Sequence, residues 1–480
     1  METQSYYPVT AVWEVTMGCN MRCRHCGSSC SEPLPDELWS EEAFDVISQM
    51  AELGLRWVTL SGGEPLIRPD ICQLIRHLKS KNIGANIITN GWLLESKAEE
   101  LKEAGVSTVA ISIDGPPEVH DSIRRSGAYK RLEAGIRRLK ELEVTVGAIT
   151  TITKQNIGLL REIREELIRM RVDSWQVQLG LPMGNMKERP EWVIDPEEVD
   201  TIIDFCYETM REGKIRIYPA DCIGYYNQKE LEVRRDSYHT DQVLWDGCNA
   251  GIRGFGLLHN GDIVGCTSIR SREFIEGNIR ERPLAEIWND PQCFLWRRQM
   301  TKQQLSGNCG KCIYGSKCLG GCPNTRLTME GSIRQSENRF CSYNNYLRNL
   351  EDELGECKDT ELLLQEARKS VDSDWQKTAL YCGRILQLEN AGSEVYRMLG
   401  YAEFMCGNYE ASEAANQKAL ELVPEDAYAL KGLALALHRQ NKSSEQVLIL
   451  LEQAVALDQG KDPDLFHDIE IVKRELSSRS

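Results

Sequence analysis

No stretch of this sequence approaches the ~18 consecutive apolar residues that a membrane-spanning helix needs. The opening residues, "METQSYYPVT", lack the basic and apolar segments of a secretion signal. Positive charge is scarce: 57 Lys and Arg face 73 Asp and Glu, leaving a net charge of −16 at pH 7. That balance argues against nucleic-acid binding, which relies on clustered Lys and Arg against phosphates. These absences together predict a cytoplasmic protein with no membrane and no nucleic-acid partner. At 480 residues, 41% of them hydrophobic, the chain has room for two or three globular domains.

Cysteine, by contrast, is abundant, with 18 residues in the chain. In a reducing compartment clustered cysteines are metal ligands or redox groups rather than disulfides. The first group, "CNMRCRHC", places Cys19, Cys23 and Cys26 at spacings of four and three. A tetrahedral zinc site takes four ligands, or three with a water. Three thiolates suit equally a cubane iron–sulfur cluster whose fourth iron stays open to a substrate or cofactor.

Around this group the first 220 residues alternate strand and helix signals. "VWEVT" (12–16), "WVTLS" (57–61), "NIITN" (86–90), "VAISID" (109–114), "VGAITTI" (146–152) and "WQVQL" (175–179) read as strands, and "KIRIY" (214–218) as a seventh. Helical patterns cover 70–79, 95–104, 129–141 and 157–170, and an earlier helix is expected with Ser40 as its cap and Gly54 at its end. Such alternation predicts an α/β barrel or a doubly wound sheet, with the active site at the C-terminal strand ends. Cys19, Cys23 and Cys26 follow the first strand at that face. The second strand runs into "SGGEP", where Gly62 and Gly63 permit close backbone approach and Glu64 adds an acceptor.

With His25 just before the last cysteine, this segment resembles the radical S-adenosylmethionine (radical SAM) enzymes. The resemblance covers about residues 10–220 and implies a partial (β/α)6 barrel over 8–225. It implies a [4Fe–4S] cluster on Cys19, Cys23 and Cys26, whose open iron chelates SAM. An electron from the cluster then cleaves SAM to a 5′-deoxyadenosyl radical that abstracts hydrogen. By the same resemblance Gly62, Gly63, Glu64 and Pro65 contact the methionine amino group. Ser112 and Asp114, in "ISIDG", and Arg124, in "HDSIRRSG", lie near the SAM ribose and carboxylate. Asp121 and Arg124 read equally well as parts of a surface turn.

A second cysteine system begins at "WDGCNAG" with Cys248. "GFGLLHNGDIVGC" follows, a hairpin pattern around Asn260-Gly261 that ends at Cys266. "CGKCIYGSKCLGGC" then gives Cys309, Cys312, Cys318 and Cys322, with Cys341 after a gap. A zinc ribbon would explain the four clustered cysteines alone. All seven together resemble the SPASM extension of radical SAM enzymes, expected over 240–346 with two auxiliary [4Fe–4S] clusters. The resemblance assigns Cys309, Cys312, Cys318 and Cys341 to the outer cluster. It assigns Cys248, Cys266 and Cys322 to the inner one, which is left one ligand short. Its fourth iron is either open to substrate or held by a distant residue such as Cys222, which a plain buried thiol role would also explain.

From 352 to 480 the sequence turns helical, rich in Ala and Leu. "VYRMLGYAEFMCGNYEASEAANQKALELVPED" resembles a tetratricopeptide repeat, with Tyr396, Leu399, Gly400, Tyr409, Ala419 and Pro424 in place and Asn416 where a large aromatic is usual. The alternative is a helical cap on the SPASM domain. Radical SAM–SPASM enzymes mostly modify peptides or proteins. The expectation is therefore a maturase that forms a thioether or carbon–carbon crosslink within a ribosomally synthesized peptide. A formylglycine (sulfatase-type) maturase or a peptide epimerase is the alternative, and a multicluster electron carrier on a helical scaffold is the non-enzyme one. An external donor such as flavodoxin or ferredoxin is implied. With Cys19 so near the start, leader recognition falls to the C-terminal helices or to a separate leader-binding protein.

Overall fold

The computed structural model describes residues 6–240, 246–388, 391–458 and 463–477. Trp245, which opens the "WDGCNAG" segment, lies outside them, as do 241–244 just within the expected 240–346 domain and the end, 478–480, of the expected 352–480 domain. The chain divides into two compact units. One holds 1–305 with 317–343, the other 306–316 with 344–480.

In the first unit seven parallel strands run in sequence order, β1 (Thr10–Glu14), β2 (Trp57–Ser61), β3 (Gly84–Thr89), β4 (Thr108–Ser112), β5 (Thr145–Ile152), β6 (Ser174–Leu179) and β7 (Arg216–Pro219). An order without reversal, with right-handed crossovers, puts every connecting helix on one face and curls the sheet into a partial barrel. The helices α1 (Ser40–Glu52), α2 (Ile71–Ser80), α3 (Leu94–Ala104), α4 (Pro117–Ile123), α5 (Ala128–Glu141) and α6 (Leu160–Arg169) fill those crossovers. Ile71, Leu74, Ile75 and Leu78 of α2 show why: apolar residues three and four apart bury one stripe against the sheet. One helix start departs from expectation. Trp39, not Ser40, is the N-cap of α1, its N–H donating to the Glu42 carboxylate, while the Ser40 hydroxyl donates to Asp70 at 2.7 Å.

Strand side chains alternate between two environments. Trp13, Val58, Leu60, Ile87, Ile111 and Trp175 are sealed under the helices. Trp175 is fully buried, and its indole N–H reaches the Thr150 hydroxyl at 2.8 Å, so truncation to Ala would cost about 3–5 kcal/mol. The opposite face carries Thr59, Ser61, Asn86, Ser112, Thr151 and Gln178, all half-buried and polar. Ile88, Ala110 and Ile149 alternate to that same face, so the barrel interior mixes hydrogen-bonding and apolar groups.

The expected hairpin is present, as β8 (Gly254–Leu257) and β9 (Asp262–Val264), with Gly261 at φ 92° in the turn. Beyond it, β10 (Ile275–Asn278) pairs antiparallel with β9. Sequence gave no sign that β8 would pair in parallel with β1, so that hairpin and barrel share one ten-stranded sheet.

The second unit is helical. Helices Thr360–Ser370, Trp375–Leu388, Ser393–Met405, Tyr409–Leu422, Ala427–Arg439 and Ser444–Asp458 pack each on the next, and alternate helices also touch. That is the packing of tetratricopeptide-like helix pairs. Asn416 is fully buried between Gly400 and Gly432, whose added Cβ atoms would each meet its amide at 2.5 Å. The two glycines hold the amide where the repeat ordinarily carries an aromatic. Its Nδ2 donates to the Ser412 carbonyl at 2.8 Å.

Candidate functional site

The loop after β1 carries Cys19, Cys23 and Cys26 at the C-terminal strand ends. It is closed on itself by hydrogen bonds from Cys19 N to Ser31 O (2.6 Å) and from Ser31 N to Met17 O (3.0 Å). Glu37 accepts from Met17 N at 2.7 Å and from the Thr16 hydroxyl at 3.0 Å, fixing where the loop begins. The three thiols pack with Met21, Ala128 and Trp92, and Trp92 lies under the Arg125 and Arg131 guanidiniums at 3.8 and 4.2 Å.

Gly62 and Gly63 have a packing reason to be glycine. Gly63 N and Glu64 N each donate at 2.8 Å, to Thr16 O and Gly18 O. A Cβ at Gly63 would lie 1.9 Å from Gly18 O, and one at Gly62 2.3 Å from Thr16 O. The paired glycines therefore seat the cysteine loop directly. Glu64 is fully buried and accepts from Leu66 N (3.1 Å), the Thr89 hydroxyl (2.7 Å) and Asn90 N (2.7 Å). Burial pushes its carboxyl up to about 7 against those hydrogen bonds. Pro65 heads the short 3₁₀ turn Pro65–Ile67 that Glu64 caps.

Asp114 organises the other side. Its fully buried carboxylate accepts from His25 Nε2 at 2.9 Å, from Arg124 Nε, and from Thr151 N at 2.9 Å. Burial alone would raise its pKa, but Arg124 and His25 hold it well below the usual carboxylate range. Arg124 also points Nη1 at Cys23 Sγ, 3.9 Å away, and Asn90 Nδ2 stands 3.9 Å from Cys19 Sγ. Asp121 has a structural role, accepting from Gly127 N and Tyr129 N at 2.6 and 2.8 Å at the start of α5. Ser112 ends β4, in register with Ile149.

Several supporting residues carried no sequence signal. Asn185 donates to Cys23 O from Nδ2 and to Cys26 O from its backbone, both at 2.9 Å. His120 is fully buried and accepts from Asp114 N at 3.3 Å, its pKa held down to about 4 by burial and Arg124. Arg270 bridges Glu14 and Ser28. Lone polar residues in loops are legible only once the fold brings them to the cysteines.

The thiols fit an iron–sulfur group. Cys23, pushed up to about 11 by burial, has Arg124 beside it to stabilise a thiolate. A hydrogen bond with Cys30 holds Cys26 below the ordinary thiol range and Cys30 above it. Among the described residues no three His, Cys, Asp or Glu side chains converge tightly enough for a single ion, whereas a multi-iron cluster holds its thiolates further apart.

The later cysteines fall into both units. Cys248, Cys266 and Cys322 lie together in the first, each thiol pushed up first by burial, with the Cys322 charge also acting on Cys248 and Cys266. Cys318 and Cys341 belong to that unit too, and Cys318 Sγ accepts from Gly321 N at 3.1 Å. Cys309 and Cys312 belong to the second unit, where Asn344 Nδ2 donates to Cys309 Sγ and Tyr314 N to Cys312 Sγ, both at 3.4 Å. Ile313 N donates to Gln376 Oε1 at 3.1 Å, so the helices brace this cysteine segment. They also form a groove of about 890 Å³ lined by Arg397, Tyr401, Phe404, Tyr428, Leu435 and Arg439.

Comparison with known proteins agrees with this geometry. Residues 13–167 match the radical SAM superfamily and 248–313 an iron–sulfur cluster-binding SPASM domain. The chain is 31% identical over 343 residues to the AdoMet-dependent heme synthase of Oleidesulfovibrio alaskensis, covering 69% of this chain and 86% of that protein. It is 26% identical over 330 residues to the mycofactocin maturase of Mycobacterium tuberculosis, covering 66% and 78%. In fold it is similar to Streptococcus suis SuiB bound to S-adenosylmethionine (TM-score 0.57, 18% identity, 70% of this chain and 78% of that one). It is also similar to anSMEcpe bound to AdoMet and a peptide (TM-score 0.55, 19% identity, 69% and 93%). The chain belongs to the radical SAM superfamily, as an enzyme of its SPASM-bearing branch, with [4Fe–4S] clusters and SAM as cofactors. Membership sets aside the electron-carrier alternative. Among the described residues no helix is long and apolar enough to cross a membrane.

Proposed function

We propose that this enzyme is a peptide maturase that abstracts hydrogen from a residue of a ribosomally synthesized peptide and closes an intramolecular thioether or carbon–carbon crosslink. The observation that carries this reading is the set of polar side chains on the barrel face. Thr59, Ser61, Asn86, Ser112, Thr151 and Gln178 offer hydroxyl and amide groups that match a peptide backbone. Cys19, Cys23 and Cys26 would hold the SAM-binding cluster, with His25, Gly62, Gly63, Glu64, Pro65, Ser112, Asp114 and Arg124 around SAM. When bound, that pair supplies the hydrogen-abstracting radical. The protein's own task is to hold: Asp114 locks Arg124 and His25, and the Glu64 hydrogen bonds lock the β2 and β3 ends that flank the cysteine loop. Cys309, Cys312, Cys318 and Cys341 would hold the outer auxiliary cluster, and Cys248, Cys266 and Cys322 the inner one. The helical groove would bind the peptide remotely, alone or with a separate leader-binding protein, and a cytoplasmic flavodoxin or ferredoxin would supply electrons.

A second reading has one observation in its favour. Two heme synthases, from Oleidesulfovibrio alaskensis and Methanosarcina barkeri, are 31% and 30% identical to this chain over 86% and 97% of their lengths. A tetrapyrrole would then be the substrate. Mass spectrometry with reduced, reconstituted enzyme and SAM decides between them. A peptide encoded beside the gene should lose two hydrogens, with fragmentation and thiol labelling separating a ring from formylglycine. An unchanged mass with inverted stereochemistry would make the enzyme an epimerase. A SAM-dependent change in an iron porphyrin, with the peptide untouched, would establish the second reading instead.

A further inference from the structure

We propose that Cys222 is the fourth ligand of the inner auxiliary cluster, so that this cluster is fully held by protein thiolates and has no iron free for substrate. The inference rests on the assignment of Cys248, Cys266 and Cys322 to that cluster. It adds a ligand from outside the SPASM segment, in the loop that leaves β7.

Three observations carry it. First, the Cys222 loop is tied to an inner ligand. The Tyr225 hydroxyl donates to Asp221 O at 2.6 Å and accepts from Cys322 N at 2.9 Å, so one phenol links the residue before Cys222 to the backbone of Cys322. Tyr225 is fully buried at φ 84°, a left-handed conformation costly for an aromatic residue. Gly321 is shaped to its ring, since a Cβ there would lie 2.6 Å from it. The loop is held in a strained conformation against the segment that carries Cys322. Second, Leu179 N, at the end of β6, donates to Cys222 Sγ at 3.4 Å. Backbone N–H groups aimed at sulfur are a usual way to stabilise cluster thiolates. Third, Cys222 differs from the core cysteines. Cys206, Cys382 and Cys406 are sealed by packing, at 1%, 0% and 1% exposed. Cys222, like Cys248, Cys266 and Cys322, keeps accessible surface, although burial pushes its thiol up to about 12 and the Cys322 charge adds to that. The neighbouring carboxylate is a poorer donor: Asp221 is 47% exposed in its side chain and leans toward Arg234 at 3.9 Å. A closed cluster exchanges electrons by outer-sphere transfer and binds nothing, which assigns the inner site to electron relay.

The test uses the full chain, anaerobically reconstituted, with iron analysis and EPR of the reduced clusters in the presence and absence of cyanide as a probe for an open iron. Loss of about four irons in Cys266→Ala checks the underlying cluster assignment; an unchanged iron count there would overturn that assignment itself. To separate the inner signal, the same measurements are made with Cys19, Cys23 and Cys26 replaced by Ala, which removes the iron that is open for SAM. In that background the inner signal should ignore cyanide. Adding Cys222→Ala should either make the signal cyanide-sensitive or lose about four irons, while Cys206→Ala does neither. Cys222→Ser should keep the irons with an altered signal, as an oxygen ligand would. A cyanide-sensitive inner signal before Cys222 is touched would overturn the proposal. So would a Cys222→Ala spectrum like its parent's, or iron loss in Cys206→Ala equal to that in Cys222→Ala, which would reduce Cys222 to packing.

Discussion

The two thiol groups of the first unit are built in opposite ways. Cys19, Cys23 and Cys26 sit on one eight-residue stretch, and the fold comes to them: β2 through Gly63 and Glu64, the β6 loop through Asn185, and β4 through Asp114 and Arg124. Cys248, Cys266 and Cys322 come from three distant segments and meet where burial dominates, with polar ties from the Tyr225 hydroxyl to Cys322 N and from Arg297 Nε to Cys248 O. The first is a socket tied to the strand ends by many hydrogen bonds and ion pairs. On the proposed assignment, the second would rely more on its cluster to join its segments, as structural metal sites do.

The largest test of this contrast replaces Cys19, Cys23 and Cys26 by Ala. SAM cleavage should vanish and iron should fall by about four per chain from about twelve, measured by deoxyadenosine release and iron analysis. Because so many hydrogen bonds tie this loop to the strand ends, the melting temperature should hardly move. Cys248→Ala, by contrast, should lower it measurably, because the cluster there would join three segments far apart in the chain. Equal thermal effects would erase the distinction.

Next in size is Asp114→Asn. It removes the buried partner of Arg124 and His25, and losing one member of a buried charge network costs about 3–5 kcal/mol. Weakened SAM binding should accompany it, with auxiliary iron retained. The pH dependence follows from the lowered pKa of Asp114. A depressed carboxyl contributes stability that is fully present above its unfolded value, near 4, and is lost as pH falls through the folded one. The melting difference between wild type and variant should therefore be flat from about pH 5 to 8 and shrink below about pH 4.

Much of this was readable in advance, for physical reasons that differ from place to place. The strands from Trp57 to Leu179 were legible as short runs rich in Val, Ile and Thr between helical patterns, and the cysteine systems through their resemblance to radical SAM and SPASM spacings. The parallel pairing of β8 with β1 was not, since Gly254 to Leu257 is apolar throughout and nothing local tells a partner in the barrel from one in the hairpin. Ser40 misled because a serine two residues before an acidic side chain looks like a cap, whereas the Trp39 backbone takes the Glu42 carboxylate and frees Ser40 for Asp70. His120, Asn185 and Tyr225 act only through contacts made far along the chain, and no spacing records those.

Tyr225→Phe is a smaller and more selective test. It deletes one hydroxyl and leaves Asp221 O and Cys322 N without that partner, at a cost of about 1–3 kcal/mol. Iron should be lost faster from the inner cluster under a chelator, while the rate of SAM cleavage stays at the wild-type level. A change in SAM cleavage with unchanged iron release would mean that the loop after β7 serves the barrel site instead.

The smallest effect is expected at Asn185. Substitution by Ala keeps the backbone donor to Cys26 O and removes only the side-chain hydrogen bond to Cys23 O. A single such bond is worth about 1 kcal/mol, or roughly a fivefold change in an equilibrium. Because Gly184, at φ 50°, packs its Cα against the Cys26 and Gly27 carbonyls, the loop after β6 stays in place without the Asn185 amide. The SAM-site cluster should therefore survive in Asn185→Ala but release iron to a chelator about fivefold faster, with the auxiliary irons unaffected. If the socket is held by many such ties, no single one should abolish it. Complete loss of the SAM-site cluster in this variant would show that the Cys23 segment hangs on one bond, and the two thiol groups would then be built alike.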